Sequence, residues 1–310
     1  MISRRNIRVK VMQTLYSLNT SEGTQTSSDP QKQLRKQIDS TIQLFTYLLH
    51  MLVEVGRYAE TDSLKRASKN LPSEHDLNVN VKLSGNTFLW KILESATYRQ
   101  AVEDMKPHLV EDTQNQVKKI YRQLVETPEY KLYTDEQSRN KKSEKEIFSF
   151  VFSNLMLPSE DFTSHVEEYY TNWDDDAEMM QLLMMNFLQK PDSYNLQQMM
   201  TEDKWTFARS LLSTTIDKKA LTMEMIKPKL NNWDADRIAV LDMILMEMGV
   251  CELLFFETIP TKVTINEYID LAKAYSTPQS GQFVNGILDS IHKELVTQDK
   301  IHKVNFRQKV

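Results

Sequence analysis

Apolar residues recur at helical spacing along most of the chain. Ile7, Val11, Leu15 and Leu18 mark a first helix. A long amphipathic helix is predicted from residue 31 to about 69 by the positions Leu34, Ile38, Ile42, Phe45, Leu49, Leu52 and Val53. A polar loop follows over 70–86, and further helices are predicted over 87–105 and 109–126. The charged run 141–145 predicts a joint between subdomains.

Composition supports the same picture. Six glycines and nine prolines in 310 residues leave few places for tight turns, and the chain is rich in Met, Leu, Glu, Lys and Gln. We therefore expect an all-α protein. The length allows one large core or two smaller ones, and we expect two units.

Charge and cysteine usage limit the classes of function. The net charge is -5, so any site for nucleic acid must be a local cluster of cations and not the whole surface. Cys251 is the single cysteine and cannot form an intramolecular disulfide. No signal-like segment opens the chain, and acidic residues interrupt the most apolar runs. We expect a cytoplasmic protein with no membrane partner.

Residue patterns for catalysis are weak. The chain contains neither GxGxxG nor GxxxxGK[ST], and its histidines are scattered. Cys251 lies in an apolar stretch with no histidine near it in sequence, which indicates a small buried side chain. The acidic run 174–178 is typical of a helix start. We predict no enzyme activity, no catalytic residue, no metal and no cofactor.

A short motif occurs twice, at 172–176 as NWDDD and at 232–236 as NWDAD. In both copies the aspartate after the tryptophan could cap a helix while the indole packs on the first turn. Either these are two similar caps, or residues 146–189 are a degenerate copy of 206–249.

The N-terminal helix combines an apolar stripe with the cations Arg4, Arg5, Arg8 and Lys10, and no acid precedes Glu22. We expect these cations on the exposed arc of the helix, where they would attract phosphates. A solvated surface or an organelle presequence would show the same pattern.

Two segments carry a resemblance to a known family. The run VTINEYIDLAKAYSTPQSGQFVNGILD at 263–289 resembles the signature segment of the transcription antitermination factor NusB, and SRRNIRVKVMQTLY at 3–16 resembles that family's opening basic helix. The resemblance covers about the first 20 residues and roughly 201–297. It implies a helical bundle in which helix 1–20 packs on the domain 201–297. Residues 30–200 would then be an extension or insertion, and 298–310 a basic tail.

The resemblance also implies a function. Members of the family bind boxA-type single-stranded RNA together with the ribosomal protein NusE, and so act indirectly on the RNA polymerase elongation complex. Phe283 matches an aromatic near the RNA, although it could equally be a core residue of the last helix, and Tyr16 is similarly open. By the same matches, the RNA-binding residues would be Arg4, Arg5, Arg8, Lys10, Tyr16, Gln279, Ser280, Gln282 and Phe283. The partner-binding residues would be Asp242, Lys262 and Lys273.

This sequence departs from the family pattern in two ways. Met243 and Glu247 stand where the family usually has basic residues, so the partner surface of that helix differs. The extension is also foreign to compact members of the family. The competing interpretation is an all-α protein-interaction scaffold that kept the fold and lost RNA affinity.

Overall fold

A computed structural model describes residues 1–20, 29–230 and 238–304. Within these ranges the regular structure is helical and no strand occurs, so the all-α prediction is confirmed there. No helix of the described ranges is long and apolar enough to cross a bilayer. The helices are α1 Arg4–Thr20, α2 Pro30–Ala67, α3 Glu74–Leu77, α4 Thr87–Glu94, α5 Ala96–Met105, α6 Thr113–Glu126, α7 Pro128–Asp135, α8 Lys141–Phe150, α9 Glu160–Tyr169, α10 Trp173–Gln189, α11 Glu202–Asp217, α12 Lys219–Ile226, α13 Val240–Phe255, α14 Thr261–Tyr275 and α15 Ser280–Thr297.

The chain divides into two compact units. One comprises residues 38–200, with Met1, and is named here the extension unit. The other comprises residues 2–37 and 201–310 and is named the terminal unit. The division falls inside α2. Each end of the chain therefore contributes to the terminal unit.

The extension unit is built around the part of α2 that follows residue 37. Phe45 packs edge-on against Phe187 of α10, with ring centroids 6.0 Å apart. The hydroxyl of Tyr47 hydrogen-bonds Nε2 of His165 on α9 at 2.6 Å. Gly56 permits a close approach of α8, because a Cβ at this position would lie 2.9 Å from the ring of Phe148. In this unit the predicted stripe is buried at Ile38, Phe45, Leu49, Leu52 and Val53 and half-buried at Ile42.

A buried polar network joins α4 to α8. The Asn86 side chain accepts hydrogen bonds from the backbone N–H groups of Phe88 and Leu89 at 2.8 and 3.1 Å, and so caps α4. Its amide donates to the Tyr133 hydroxyl at 3.0 Å and to the Glu144 carbonyl at 2.8 Å. Asn86 is fully buried, and the backbone N–H groups of Phe88 and Leu89 at the start of α4 rely on its side chain for a partner.

The NWDDD motif at 172–176 opens α10, but in a different way from the prediction. Asp174 was expected to cap the helix, and this is wrong, because α10 already begins at Trp173. The buried acid is Asp176, which accepts hydrogen bonds from Thr41 and Asn172 at 2.8 Å each. The second copy of the motif lies outside the described residues, so the proposed duplication stays a hypothesis.

In the terminal unit α1 packs against α11 and α13, and α13 packs against α14 and α15. Ile7, Val11 and Leu15 of the α1 stripe are buried. The side chains of α1 also meet the first turns of α2, where Gln33 Nε2 donates to Ser17 Oγ at 2.8 Å. Segments nearly 200 residues apart in sequence thus share one core.

We predict that Asn86→Ala lowers the free energy of unfolding by about 2 kcal/mol or more. The substitution removes the cap of α4, leaves the buried N–H groups of Phe88 and Leu89 without a side-chain acceptor, and removes the link to Tyr133 and Glu144. Asn140 provides a matched control, since it caps α8 through one hydrogen bond to Lys142 N from an exposed position. Asn140→Ala should cost about 1 kcal/mol at most. Urea denaturation of both variants measures the difference, and equal losses would contradict a network role for Asn86.

Candidate nucleic-acid interface

The four cations of α1 do not share one environment. Arg4 is exposed and Arg5 is half-buried, whereas Arg8 and Lys10 are both buried. The expectation that Arg8 and Lys10 lie on the exposed arc is therefore wrong. Only Arg4 and Arg5 are placed to meet a phosphate in solution.

Arg8 is buried because an acid inside the terminal unit binds it. Its Nε and Nη2 donate to the two carboxylate oxygens of Glu252 at 2.8 Å each, and Nη1 donates to Glu267 at 3.3 Å. Arg8 is 2% exposed and Glu252 0%. Glu252 also accepts from Thr264 Oγ1 at 2.9 Å and from the Tyr268 hydroxyl at 3.1 Å. The carboxylate is thus satisfied from α1 and α14.

The electrostatics follow from this geometry. Burial by itself lowers the pKa of Arg8, but the hydrogen bond to Glu252 and the nearby carboxylates outweigh it, and the pKa lies above its ordinary value. Burial and then the charge of Glu252 raise the pKa of Tyr268 well above its ordinary value. Arg8 is therefore charged and Tyr268 is a hydroxyl donor at neutral pH.

A phenylalanine ring of α11 lies beneath two arginines of α1. The guanidinium groups of Arg4 and Arg8 each lie 5.5 Å from the centroid of the Phe207 ring. Phe207 in turn packs edge-on against Phe256 at 5.6 Å. Arg4 is thus held over a ring while its outer side remains exposed.

Trp205 is a residue that the sequence analysis missed. Its ring is half-buried and lies 5.1 Å from the guanidinium of Arg35 on α2 and 5.7 Å from that of Arg209 on α11. An indole with arginines beside it is a surface on which an unpaired base could stack. No sequence signal links Arg35 to a tryptophan 170 positions later, because the pairing depends on the packing of the unit.

Two further predicted contacts, Ser280 at the start of α15 and Asp242 on α13, are corrected by the structure. Ser280 was expected to offer a polar contact to RNA, but it is buried and its hydroxyl donates to Oδ2 of Asp242 at 2.8 Å. Asp242, expected on the partner surface, is buried for the same reason. The pair fixes the first turn of α15 to the first turn of α13.

The remaining predicted contacts, on α1, α14 and the start of α15, are at least partly accessible to solvent. Gln279 and Gln282 are exposed, and Phe283 is half-buried beside the buried stripe of Val284, Ile287, Leu288 and Ile291. Tyr16 of α1 is 42% exposed. Lys262 and Lys273 of α14 are exposed as well.

Glu252 and Asp242 are ten residues apart on α13 and bind Arg8 of α1 and Ser280 of α15. Helix α1 and the start of α15 therefore attach to α13 about 15 Å apart along its axis.

Cys251 is buried, as the sequence predicted, and its thiol lies 3.7 Å from the carbonyl oxygen of Thr214. Burial raises the pKa of the thiol to about 12, so a thiolate is not available at neutral pH. Within the described ranges no group of three or more His, Cys, Asp or Glu side chains is arranged to hold a metal ion.

Comparison with known proteins gives a consistent result. The family model described as NusB family matches residues 167–293. The chain is 42% identical over 97 residues to the transcription antitermination protein NusB of Salinibacter ruber, covering 31% of this chain and 61% of that protein. For the NusB proteins of Chloroherpeton thalassium and Methylacidiphilum infernorum the identities are 44% and 42%, covering 24% and 27% of this chain and 35% and 58% of theirs.

Among solved structures, a crystal form of T. maritima NusB is 31% identical, over 37% of this chain and 86% of that chain, with a TM-score of 0.31. The chain spans between 35% and 61% of the length of the three curated relatives.

Glu247 of α13 provides a test of this unit in solution. Burial raises the pKa of its carboxyl to about 7, from an ordinary 4.5, against a smaller opposing effect of Lys219. Between these values the unfolded chain has released a proton that the folded protein still holds. The free energy of unfolding contributed by this group therefore falls as the pH rises from 4.5 to 7 and is level above that.

We predict that Glu247→Gln stabilises the protein at pH 8 by up to about 3 kcal/mol and has little effect at pH 4.5. Denaturant unfolding at the two pH values measures this. Glu257→Gln, at an exposed position just after α13, should leave the free energy of unfolding unchanged at both pH values. If Glu247→Gln stabilises the protein equally at both pH values, the carboxyl does not titrate in this range.

Proposed function

The chain belongs to the NusB family of transcription antitermination factors, and we propose that it binds a boxA-type single-stranded RNA together with NusE. The protein would act in the cytoplasm, and through this complex it would support RNA polymerase during elongation. No step of this function requires a catalytic residue or a cofactor.

The observation that carries the proposal is the exposed guanidinium of Arg4, held over Phe207 at one end of a helix that the Arg8–Glu252 pair fixes in place. Arg5 follows it on the same turn. Phosphate contacts of this kind fix the register of a strand and supply salt-dependent affinity. The buried Arg8 and Lys10 would not contact RNA themselves but would hold α1 in position.

Bases would then stack on rings of the terminal unit. Trp205 lies on α11, the helix that also carries Phe207 under Arg4. Phe283, flanked by the exposed amides of Gln279 and Gln282, would supply a second ring and hydrogen bonds to base edges. Tyr16, at 42% exposure, is a further candidate ring on α1.

The partner surface would use exposed cations. Lys262 and Lys273 lie on α14 and are open to solvent, so we propose them as contacts to NusE. Asp242 would contribute indirectly by fixing Ser280 and the start of α15. The competing scaffold function predicts NusE binding with no RNA affinity, and titration of labelled boxA RNA with and without NusE separates the two.

We predict that Arg4→Gln combined with Arg5→Gln weakens binding of a boxA-type RNA and reduces the slope of log affinity against log salt by about 1.4. Each lost phosphate contact on a single strand removes about 0.7 from this slope. The matched control is Lys293→Gln with Lys300→Gln, two exposed cations at and beyond the far end of α15. Fluorescence titrations over a range of KCl concentrations give the slopes. If the arm and control variants have equal slopes, the arm does not contact phosphate.

We predict that Phe283→Ala weakens RNA binding about tenfold with only a small drop in melting temperature. A stacked ring contributes about 1 to 3 kcal/mol per base, whereas truncation of a fully buried Phe costs about 3 to 5 kcal/mol of stability. Phe283 is half-buried, which favours the first result. Ile287→Ala, in the buried stripe one turn later, should show the reverse pattern. A large melting shift with unchanged RNA affinity for Phe283→Ala would place this ring in the core.

A further inference from the structure

The extension unit carries a basic cleft that the proposed function does not use. It has a volume of about 700 Å³, within the range of about 300 to 1,000 Å³ that is usual for ligand sites. It lies between the first turns of α4 and α8 and the segment that follows α10. In the described chain, five lysines and one carboxylate are among its lining residues, namely Lys91, Lys141, Lys142, Lys145, Lys190 and Asp192.

Such a concentration of positive charge is unexpected on a chain with a net charge of -5. The acids nearby neutralise it only weakly. Lys91 Nζ lies 3.6 Å from Asp192 and Lys142 Nζ lies 3.7 Å from Glu146, and the two lysines are 59% and 77% exposed. Solvent-exposed pairs at such distances contribute little, so these ammonium groups remain available to another anion.

Two of these lysines also lie where a cation destabilises a helix. Lys141 and Lys142 lie in the first turn of α8, next to the positive end of the helix dipole. Cations at this end destabilise a helix, whereas an anion bound there would be stabilised by the dipole and by the lysines together. The cleft thus has the electrostatics of a site for an anion.

An exposed aromatic ring lies on α4 close in sequence to residues that line the cleft, although it does not line the cleft itself. Trp90 is 50% exposed and follows Thr87, which lines the cleft, by one helical turn on the same side of α4. Its indole N–H donates to the carbonyl of Ser84 at 3.0 Å, which fixes the orientation of the ring. A fixed, exposed indole one helical turn from a cleft-lining residue is a platform for an unpaired base.

We propose that this cleft binds the sugar-phosphate backbone of a single-stranded nucleic acid and that Trp90 stacks on one of its bases. This is a second contact, in the extension unit, and it goes beyond the proposed role of α1. The cations that line the cleft are lysines, whose ammonium groups bind phosphates as point charges without a fixed geometry, which suits a backbone of any sequence. Lys91, Lys141, Lys142 and Lys190 are exposed, whereas Lys145 is half-buried and donates to Gln189 at 2.9 Å. A row of exposed lysines suits a strand better than a single small phosphate compound.

The test compares a cleft variant of the full chain with a matched control. The cleft variant is Lys141→Gln, Lys142→Gln and Lys190→Gln. The control is Lys118→Gln, Arg122→Gln and Lys131→Gln, which removes the same charge from α6 and α7 of the extension unit, outside the cleft. The probe is a fluorescent uridine oligonucleotide, titrated over a series of KCl concentrations.

We predict that the cleft variant loses about 2 from the log–log salt slope, at about 0.7 for each of three phosphate contacts, while the control loses nothing. Trp90→Ala should weaken binding about fivefold or more and leave the slope unchanged. The melting temperature of the cleft variant should stay the same or rise slightly, since it relieves α8 of two cations. Equal slopes in the cleft and control variants would overturn the proposal.

Two competitors identify the other possible ligands. Uridine monophosphate should compete weakly, and competition equal to that of the oligonucleotide would overturn the proposal in favour of a small phosphate compound. Polyglutamate binding that the cleft variant loses, with oligonucleotide binding intact, would overturn it in favour of an acidic polypeptide. Repeating the titrations with Arg4→Gln and Arg5→Gln added separates the two sites. If α1 makes no contact with RNA, the cleft variant still loses its slope in this background.

Discussion

The buried ion pair between Arg8 and Glu252 fixes the first helix, and with it the positions of Arg4 and Arg5. It joins a residue of the first helix to one 244 positions later, and its carboxylate also accepts from Thr264 and Tyr268 of α14. Removal of one member of such a pair leaves an uncompensated charge in the interior and costs about 3 to 5 kcal/mol. The placement of Arg4, one turn before Arg8 on the same side of α1, depends on this contact.

A hydrophobic pair of similar volume could hold α1 against α13 as firmly, because the desolvation of two charges offsets much of their attraction. What the ion pair adds is a fixed rotation of the helix. Two parallel hydrogen bonds from one guanidinium to one carboxylate allow a single geometry. With that rotation set, Arg4 and Arg8 lie at equal distances from the Phe207 ring, and Arg5 points about 100° around the helix from Arg4.

Sequence periodicity predicted the long helices well and the environments of single polar residues poorly. The single helix predicted over 87–105 is two helices, α4 and α5, because Ser95 ends the first and caps the second. The stripes of α1 and α2 were recognised because apolar spacing depends only on neighbouring residues. The same reasoning treats every cation as exposed, so it placed Arg8 and Lys10 on the surface. Glu252, the acid that buries Arg8, is distant in sequence and lies in an apolar run. Trp205 and Asn86 were missed for the same reason, since their roles arise from contacts made only in the folded chain.

The affinity of such a chain for a polyanion depends on local charge and not on net charge. At physiological ionic strength the Debye length is about 8 Å, so acids elsewhere on the surface do not cancel a compact group of cations. The arginines of the terminal unit and the lysine cleft of the extension unit also differ in chemistry. In the terminal unit, arginines are held over aromatic rings, which suits stacking and fixed geometry, whereas in the extension unit exposed lysines line a cleft, which suits phosphates in any sequence. An acidic surface elsewhere disfavours indiscriminate binding of nucleic acid, so under both proposals the affinity would come from these local groups of cations.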